Sequence, residues 1–294
     1  MKRLTAKTSK LQAVLLTVLG AAATLLQAAV APSVSPLAPL AASINAPTRV
    51  ATDGSGNVYV VDSTAGRVVV VDAFSRLLSE KTGLRVPLGI AVDPAGNVYL
   101  GEAGAGCVTV FDSHWNALSQ LGAGVGEFGL PNYIALDSGT TPATVYVSDS
   151  SANVLKAYRG GVLVGTLGGP GSNPTGFDFP AGVWVNGAGE VFAADQNYQR
   201  LLVYARNGAF LRAFLLGPWN ALGSMGRPAG ITGDVEGRVY VADTFQDYVK
   251  VFDEQGALLA SFSGYGAAPG QVRSPAGIAL DPQRRLLVAS LNTG

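Results

Sequence analysis

Short apolar runs of four to six residues, separated by turn residues, recur from Pro47 onward. The repeating units open at Pro47, Pro87, Pro131, Pro180, Pro228 and Pro275, a spacing of 40, 44, 49, 48 and 47 residues. A period in this range marks a propeller or a solenoid. Each unit begins with a run such as Leu88-Gly89-Ile90-Ala91-Val92, followed by an Asp- and Gly-containing turn such as Asp93-Pro94-Ala95-Gly96-Asn97. A second run follows, as in Val239-Tyr240-Val241-Ala242, and a third ends in an aromatic or Asp, as in Val249-Lys250-Val251-Phe252-Asp253. A fourth, weaker run is Leu258-Leu259-Ala260-Ser261-Phe262. β-Branched and aromatic content bounded by turn residues predicts strands, and no unit carries a long 3.6-residue period.

The first two runs are apolar on both faces, as expected when each blade is sandwiched between neighbours. The third carries Thr109, Lys156 and Lys250 at one equivalent position, which suits a strand nearer the rim. Four antiparallel strands per unit, set radially, make a propeller blade. The expectation is therefore an all-β, six-bladed β-propeller of four-stranded antiparallel blades over residues 47–294. The last blade is incomplete, because the sixth unit reaches Leu291-Asn292-Thr293-Gly294 where its third strand should begin. Leu37 to Ile44 is the spare segment that could pair there.

Pro228-Ala229-Gly230-Ile231, through Val239-Tyr240-Val241-Ala242-Asp243 to Phe252-Asp253, resembles the NHL repeat, and the resemblance extends over residues 47–294. It implies the propeller fold. It leaves function open, because propellers host binders, lyases, lactonases and sensors.

The N-terminal segment differs in kind. Lys2, Arg3, Lys7 and Lys10 form a basic head, and Leu11 to Ala31 is an uncharged run of 21 residues. Residues 1–31 read as a secretory signal peptide or an uncleaved signal anchor. Ala29-Val30-Ala31 fits the small-x-small cleavage rule, but Pro32 directly after it disfavours processing. Residues 32–46, rich in Pro, Ala and Ser, read as a tether. The protein is thus expected outside the cytoplasm, periplasmic or extracellular, touching membrane only through an uncleaved N-terminus.

Composition refines this picture. Hydrophobic residues make up 48% of the 294 and charged residues 14%, which excludes a disordered chain. Formal net charge is +0, so nothing in the totals points to nucleic acid.

Strand alternation puts the loops before each proline, and those between second and third strands, on one face. That face carries the long loops 122–130, 168–179, 216–227 and 264–274. Tight turns such as Asn207-Gly208 lie on the other. Long irregular loops on a rigid scaffold are where binding concentrates. Two residues after each proline the chain reads Arg49, Gly89, Tyr133, Gly182, Gly230 and Gly277. Arg49 and Tyr133, with Asn132, break a small-residue rule and should converge at the channel mouth on the long-loop face, open to solvent above. As a ligand site the trio offers a guanidinium fork, a phenol and an amide. As a plug it simply fills a void. The loop aromatics Phe128, Phe177, Phe179, Trp219, Phe245 and Tyr265, with Arg227 and Arg273, have the composition of a protein- or glycan-binding surface, unless the rings only pin their own loops.

Chemistry is sparse. Asp53, Asp93, Asp137, Asp234 and Asp281 end the inner strands, where they read as turn caps or, less simply, as a calcium-binding ring. Asp62, Asp149, Asp195 and Asp243 resemble the repeat family's structural Asp, bonded to backbone of the next loop. The single histidine, His114, and the single cysteine, Cys107, cannot build a zinc site or a catalytic triad. Glu127, Asp178 and Asp247 are loop carboxylates without evident partners. The function expected is non-catalytic binding of a protein, glycan or small ligand on the long-loop face, with no required cofactor. The alternative is a calcium-dependent lactonase or lyase of the propeller class.

Overall fold

The computed structural model describes residues 29–33, 35, 44, 46–215, 226–266, 268 and 270–291. Those residues form strands and turns without a helix. The apolar N-terminal run lies outside them up to residue 28, as does all of the 37–44 segment except Ile44.

Blade one comprises β1 (Pro47–Thr52), β2 (Val58–Asp62), β3 (Arg67–Val71) and β4 (Leu77–Lys81). Blade two is β5 (Pro87–Val92), β6 (Val98–Glu102), β7 (Cys107–Phe111) and β8 (Ala117–Gln120). Blade three is β9 (Pro131–Asp137), β10 (Thr144–Asp149), β11 (Val154–Arg159) and β12 (Val162–Gly168). Blade four is β13 (Pro180–Val185), β14 (Val191–Asp195), β15 (Arg200–Tyr204) and β16 (Phe210–Leu215). Blade five is β17 (Pro228–Gly233), β18 (Arg238–Asp243), β19 (Tyr248–Asp253) and β20 (Leu258–Ser263). Each is a four-stranded antiparallel sheet in sequence order. The sixth unit is a two-stranded sheet of β21 (Pro275–Leu280) and β22 (Leu286–Ser290). The expected four-stranded pattern thus holds for five blades, and the sixth is partial.

The inner strands β1, β5, β9, β13, β17 and β21 pack side by side around a central channel, with β21 returning to β1. Thr52 Oγ1 donates to the Leu280 carbonyl at 3.0 Å across that closure. The glycine column exists for this packing. A Cβ on Gly182 would lie 2.3 Å from the Ala229 carbonyl oxygen, and one on Gly277 would lie 2.6 Å from Arg49 Cα. Glycine is required there because neighbouring inner strands approach backbone to backbone.

Apolar second and third strands from adjacent blades form the core between them. Phe192, Leu201 and Val203 of blade four meet Ile231, Val239 and Phe252 of blade five. The fourth strands are mostly exposed, which accounts for their weak apolar pattern.

The third strands do lie nearer the rim than the first two, but Lys156 and Lys250 are not simply solvated there. Their ammonium groups turn toward Asp149 at 3.2 Å and Asp243 at 3.8 Å, both buried at the end of the second strand. Those aspartates bind the loop that enters their own blade, and Asp243 also accepts the N–H groups of Phe245 and Gln246 in the loop that follows it. Asp149 accepts the N–H groups of Gly129 and Leu130 at 3.1 and 3.0 Å, and Asp243 those of Gly226 and Arg227 at 2.8 and 3.0 Å. The tie to the next blade comes from the following hydroxyl: Ser63 to Pro87, Ser150 to Pro180 and Thr244 to Pro275, each onto the carbonyl oxygen.

Candidate functional site

β1 and β9 bring Arg49, Asn132 and Tyr133 together at the long-loop end of the channel. Arg49 Nε donates to the Asn132 carbonyl at 3.2 Å, Nη1 to the Thr48 carbonyl at 2.7 Å, and Nη2 to Asn132 Oδ1. The guanidinium lies over the Tyr133 ring, 4.1 Å from its centre. The Tyr133 hydroxyl crosses to donate to the Ala276 carbonyl on β21. It also passes Gly230, whose Cβ, were there one, would lie 2.6 Å away. Asn132 Nδ2 is held by Ser150 Oγ at 2.9 Å, linking the trio to the hydroxyl that clamps blade four.

The predicted convergence is therefore present, but the predicted openness is not. Arg49, Asn132 and Tyr133 are only 9%, 4% and 7% exposed. They close the long-loop mouth, because the Tyr133 side chain is long enough to span from blade three to the sixth sheet. Burial pushes the Arg49 pKa down and the Tyr133 pKa up, while each group partly offsets the shift of the other.

Below this closure lies a cavity of about 430 Å³ lined by the inner strands. It extends to the exposed Gly54, Pro94 and Ser138 in turns of the opposite face. Trp184 stands near that end, 5.1 Å from the Phe192 ring. Gly233 makes room for it, since a Cβ there would come within 2.4 Å of the indole. Sequence reasoning missed Trp184. The signal was available in the inner-strand column that otherwise reads Ala51, Ala91, Ala135, Thr232 and Ala279.

Arg49 carries a buried charge without a carboxylate. All 20 acidic side chains of the chain lie among the described residues, and none pairs with it. Buried cations elsewhere do have such partners, as with Arg200 and Asp195 at 2.8 Å. A guanidinium has five N–H groups. Arg49 makes one hydrogen bond from each nitrogen, leaving two N–H groups without a partner among the described residues.

On the long-loop rim the aromatic residues divide. Phe128 and Phe177 are buried and pin their loops, against Tyr158 and Tyr204 respectively. Phe179 is half-buried. Phe245 and Tyr265 are 61% and 68% exposed. Arg227 is exposed, and Arg273 lies over the Tyr265 ring at 4.7 Å. Trp219 falls outside the described residues.

The loop carboxylates are committed to structure. Glu127 accepts the Ala123 N–H at 3.0 Å and the Tyr158 hydroxyl at 2.7 Å, which hold its pKa below the ordinary glutamate value. Asp178 accepts from Asn197 Nδ2 at 3.0 Å, and Asp247 from the Ser274 N–H at 2.6 Å. The inner-strand aspartates cap their own turns: Asp53 accepts from the N–H groups of Ser55 and Asn57, and Asp93 from those of Ala95 and Asn97. Among the described residues no three His, Cys, Asp or Glu side chains cluster as metal ligands. His114 is exposed in the turn between β7 and β8, and burial pushes the Cys107 thiol pKa up.

No family model matches the chain, and no curated protein matches it. Solved structures do. A streptogramin B lyase superposes with a TM-score of 0.63 at 12% identity, over 85% of this chain and 92% of that one. A catalytically inactive histidine-to-alanine virginiamycin B lyase from Staphylococcus aureus, bound to quinupristin, gives 0.60 at 15%, over 85% and 80%. A gluconolactonase from Xanthomonas campestris gives 0.64 at 15%, over 84% and 83%. At these identities the likeness establishes the β-propeller fold.

Proposed function

We propose that the chain is an exported, six-bladed, NHL-type propeller that binds a protein or glycan on its long-loop rim and does not transform it. The observation that carries this reading is the exposure of Phe245 and Tyr265 beside Arg227 and Arg273. Large aromatic surface with arginine is the composition of a binding hot spot. Its site of action is the cell envelope or the medium, with the apolar N-terminal run as signal or anchor and no nucleic-acid partner.

The alternative is a lactonase or lyase that uses calcium, and two of the fold relatives are named for such reactions. Two observations weigh against it. The lyase relative is inactive when a histidine becomes alanine, whereas the single histidine here, His114, sits in an exposed turn away from the long loops. The carboxylates that could hold calcium accept backbone N–H groups of their own turns or of a neighbouring loop.

The test is binding to arrayed envelope polysaccharides and outer-surface proteins, comparing the protein with its Phe245→Ala/Tyr265→Ala variant. The expected result is a loss of at least about ten-fold in affinity at unchanged melting temperature. Equal binding by both proteins rejects the rim as the site.

A further inference from the structure

We propose that the central channel is a second binding site, for a small hydroxylated monocarboxylate that enters from the short-turn face and seats its carboxylate on Arg49.

Charge comes first. Arg49 is 9% exposed and lines the cavity, yet it pairs with no acidic side chain of the chain. Buried charges are otherwise paired. Its two unpartnered N–H groups are donors that a carboxylate takes up readily. Arg49 is a single positive charge at the closed end, which a monoanion neutralises, whereas a dianion would add to the negative charge that Asp93 places at the open end.

The walls set the body of the ligand. Each inner strand pairs with a neighbour on one side only, β1 with β2, β9 with β10 and so on around the ring. Among the described residues the other edge carries N–H and C=O groups with no strand partner, and Trp184 stands with them in the lining. A purely apolar tail would displace water from those backbone groups without replacing its hydrogen bonds, which costs free energy. A body with hydroxyl groups replaces them.

Access fixes the direction. The Arg49–Asn132–Tyr133 closure blocks the long-loop end, while Gly54, Pro94 and Ser138 at the other end are exposed. From Arg49 to Thr52 is three residues of strand, roughly 10 Å of depth. This site is separate from the long-loop rim and stands whether or not the rim binds a partner.

The experiment is calorimetric titration of the full protein with galacturonate and glycerate, using galactose, octanoate and sulfate as controls. Galacturonate or glycerate should bind, with galactose, octanoate and sulfate at least ten-fold weaker. Arg49→Met should lose at least ten-fold. Ala279→Phe, which narrows the open end without touching Arg49, should lose as much, and it decides the matter if the Arg49 variant does not fold. Equal binding of sulfate, equal binding of octanoate, undiminished binding by a folded Arg49→Met or Ala279→Phe protein, or no binding of either galacturonate or glycerate each overturns the proposal. Rim binding by the same preparation serves as the separate readout, so failure of one site is not mistaken for failure of the other.

Discussion

The Arg49 guanidinium stacks on Tyr133 with 4.1 Å between its carbon and the ring centre, joining blade one to blade three across blade two. A cation over a desolvated ring gains roughly 2 kcal/mol. The contact also fixes the ring so that its hydroxyl reaches Ala276 on the sixth sheet. One stacked pair therefore ties three parts of the ring together at its closed end.

Removing that reach should cost stability in two steps. Tyr133→Phe keeps the ring and loses the bond to the Ala276 carbonyl, for about 1–2 kcal/mol. Tyr133→Ala also empties the closure, for about 3–5 kcal/mol. Denaturant unfolding of the two variants checks the order and the gap between them.

Asp149 should make stability depend on acid pH. Burial pushes its pKa up, but the N–H groups of Leu130 and Gly129 and the Lys156 ammonium outweigh this, so the folded value lies below the ordinary one. A depressed carboxylate stabilises the fold above its unfolded pKa of about 3.9, and that contribution is lost as pH falls through the folded value. Asp149→Asn should flatten the acid limb of the melting-temperature profile. Asp149→Ala should cost about 3 kcal/mol at neutral pH, because Lys156 loses its carboxylate and the N–H groups of Gly129 and Leu130 lose their acceptor.

The loop rings should separate by burial. Phe177, fully buried against Tyr204, should lose about 3–5 kcal/mol on truncation to Ala without altering rim binding. Phe245→Ala should change stability by less than about 0.5 kcal/mol. Thermal melts beside a binding assay distinguish the two roles.

The free edge of β22 should exchange its amides early. Among the described residues β22 pairs with β21 alone, so one row of its N–H and C=O groups has no strand partner. Hydrogen exchange over Leu286–Ser290 should outpace Val191–Asp195 of blade four by at least about ten-fold. Equal rates would mean that another segment covers the edge.

The strand plan was legible because the units repeat, and because first and second runs that are apolar on both faces can only be buried between blades. The inner glycine column was legible as a rule, though its cause, backbone contact between neighbouring inner strands at Gly182 and Gly277, needed the ring itself. The convergence of Arg49, Asn132 and Tyr133 followed from position in the repeat. Their burial did not, because exposure depends on how far Tyr133 reaches across the ring to Ala276. The pairing of Lys156 and Lys250 was hidden for a similar reason. A charge on a strand reads as exposure until its partner, here Asp149 or Asp243 from the neighbouring strand, is placed beside it. The loop acids Glu127, Asp178 and Asp247 also found partners that sequence spacing does not reveal.

Whether this propeller holds its ligands without transforming them is decided by turnover. Purified protein, chelated and then supplied with calcium, is incubated with aldonolactones and with streptogramin B antibiotics, and product is followed by mass spectrometry. Product should form at the rate of the buffer blank in both metal states. Turnover above the blank that appears with calcium and disappears with chelator would contradict non-catalytic binding.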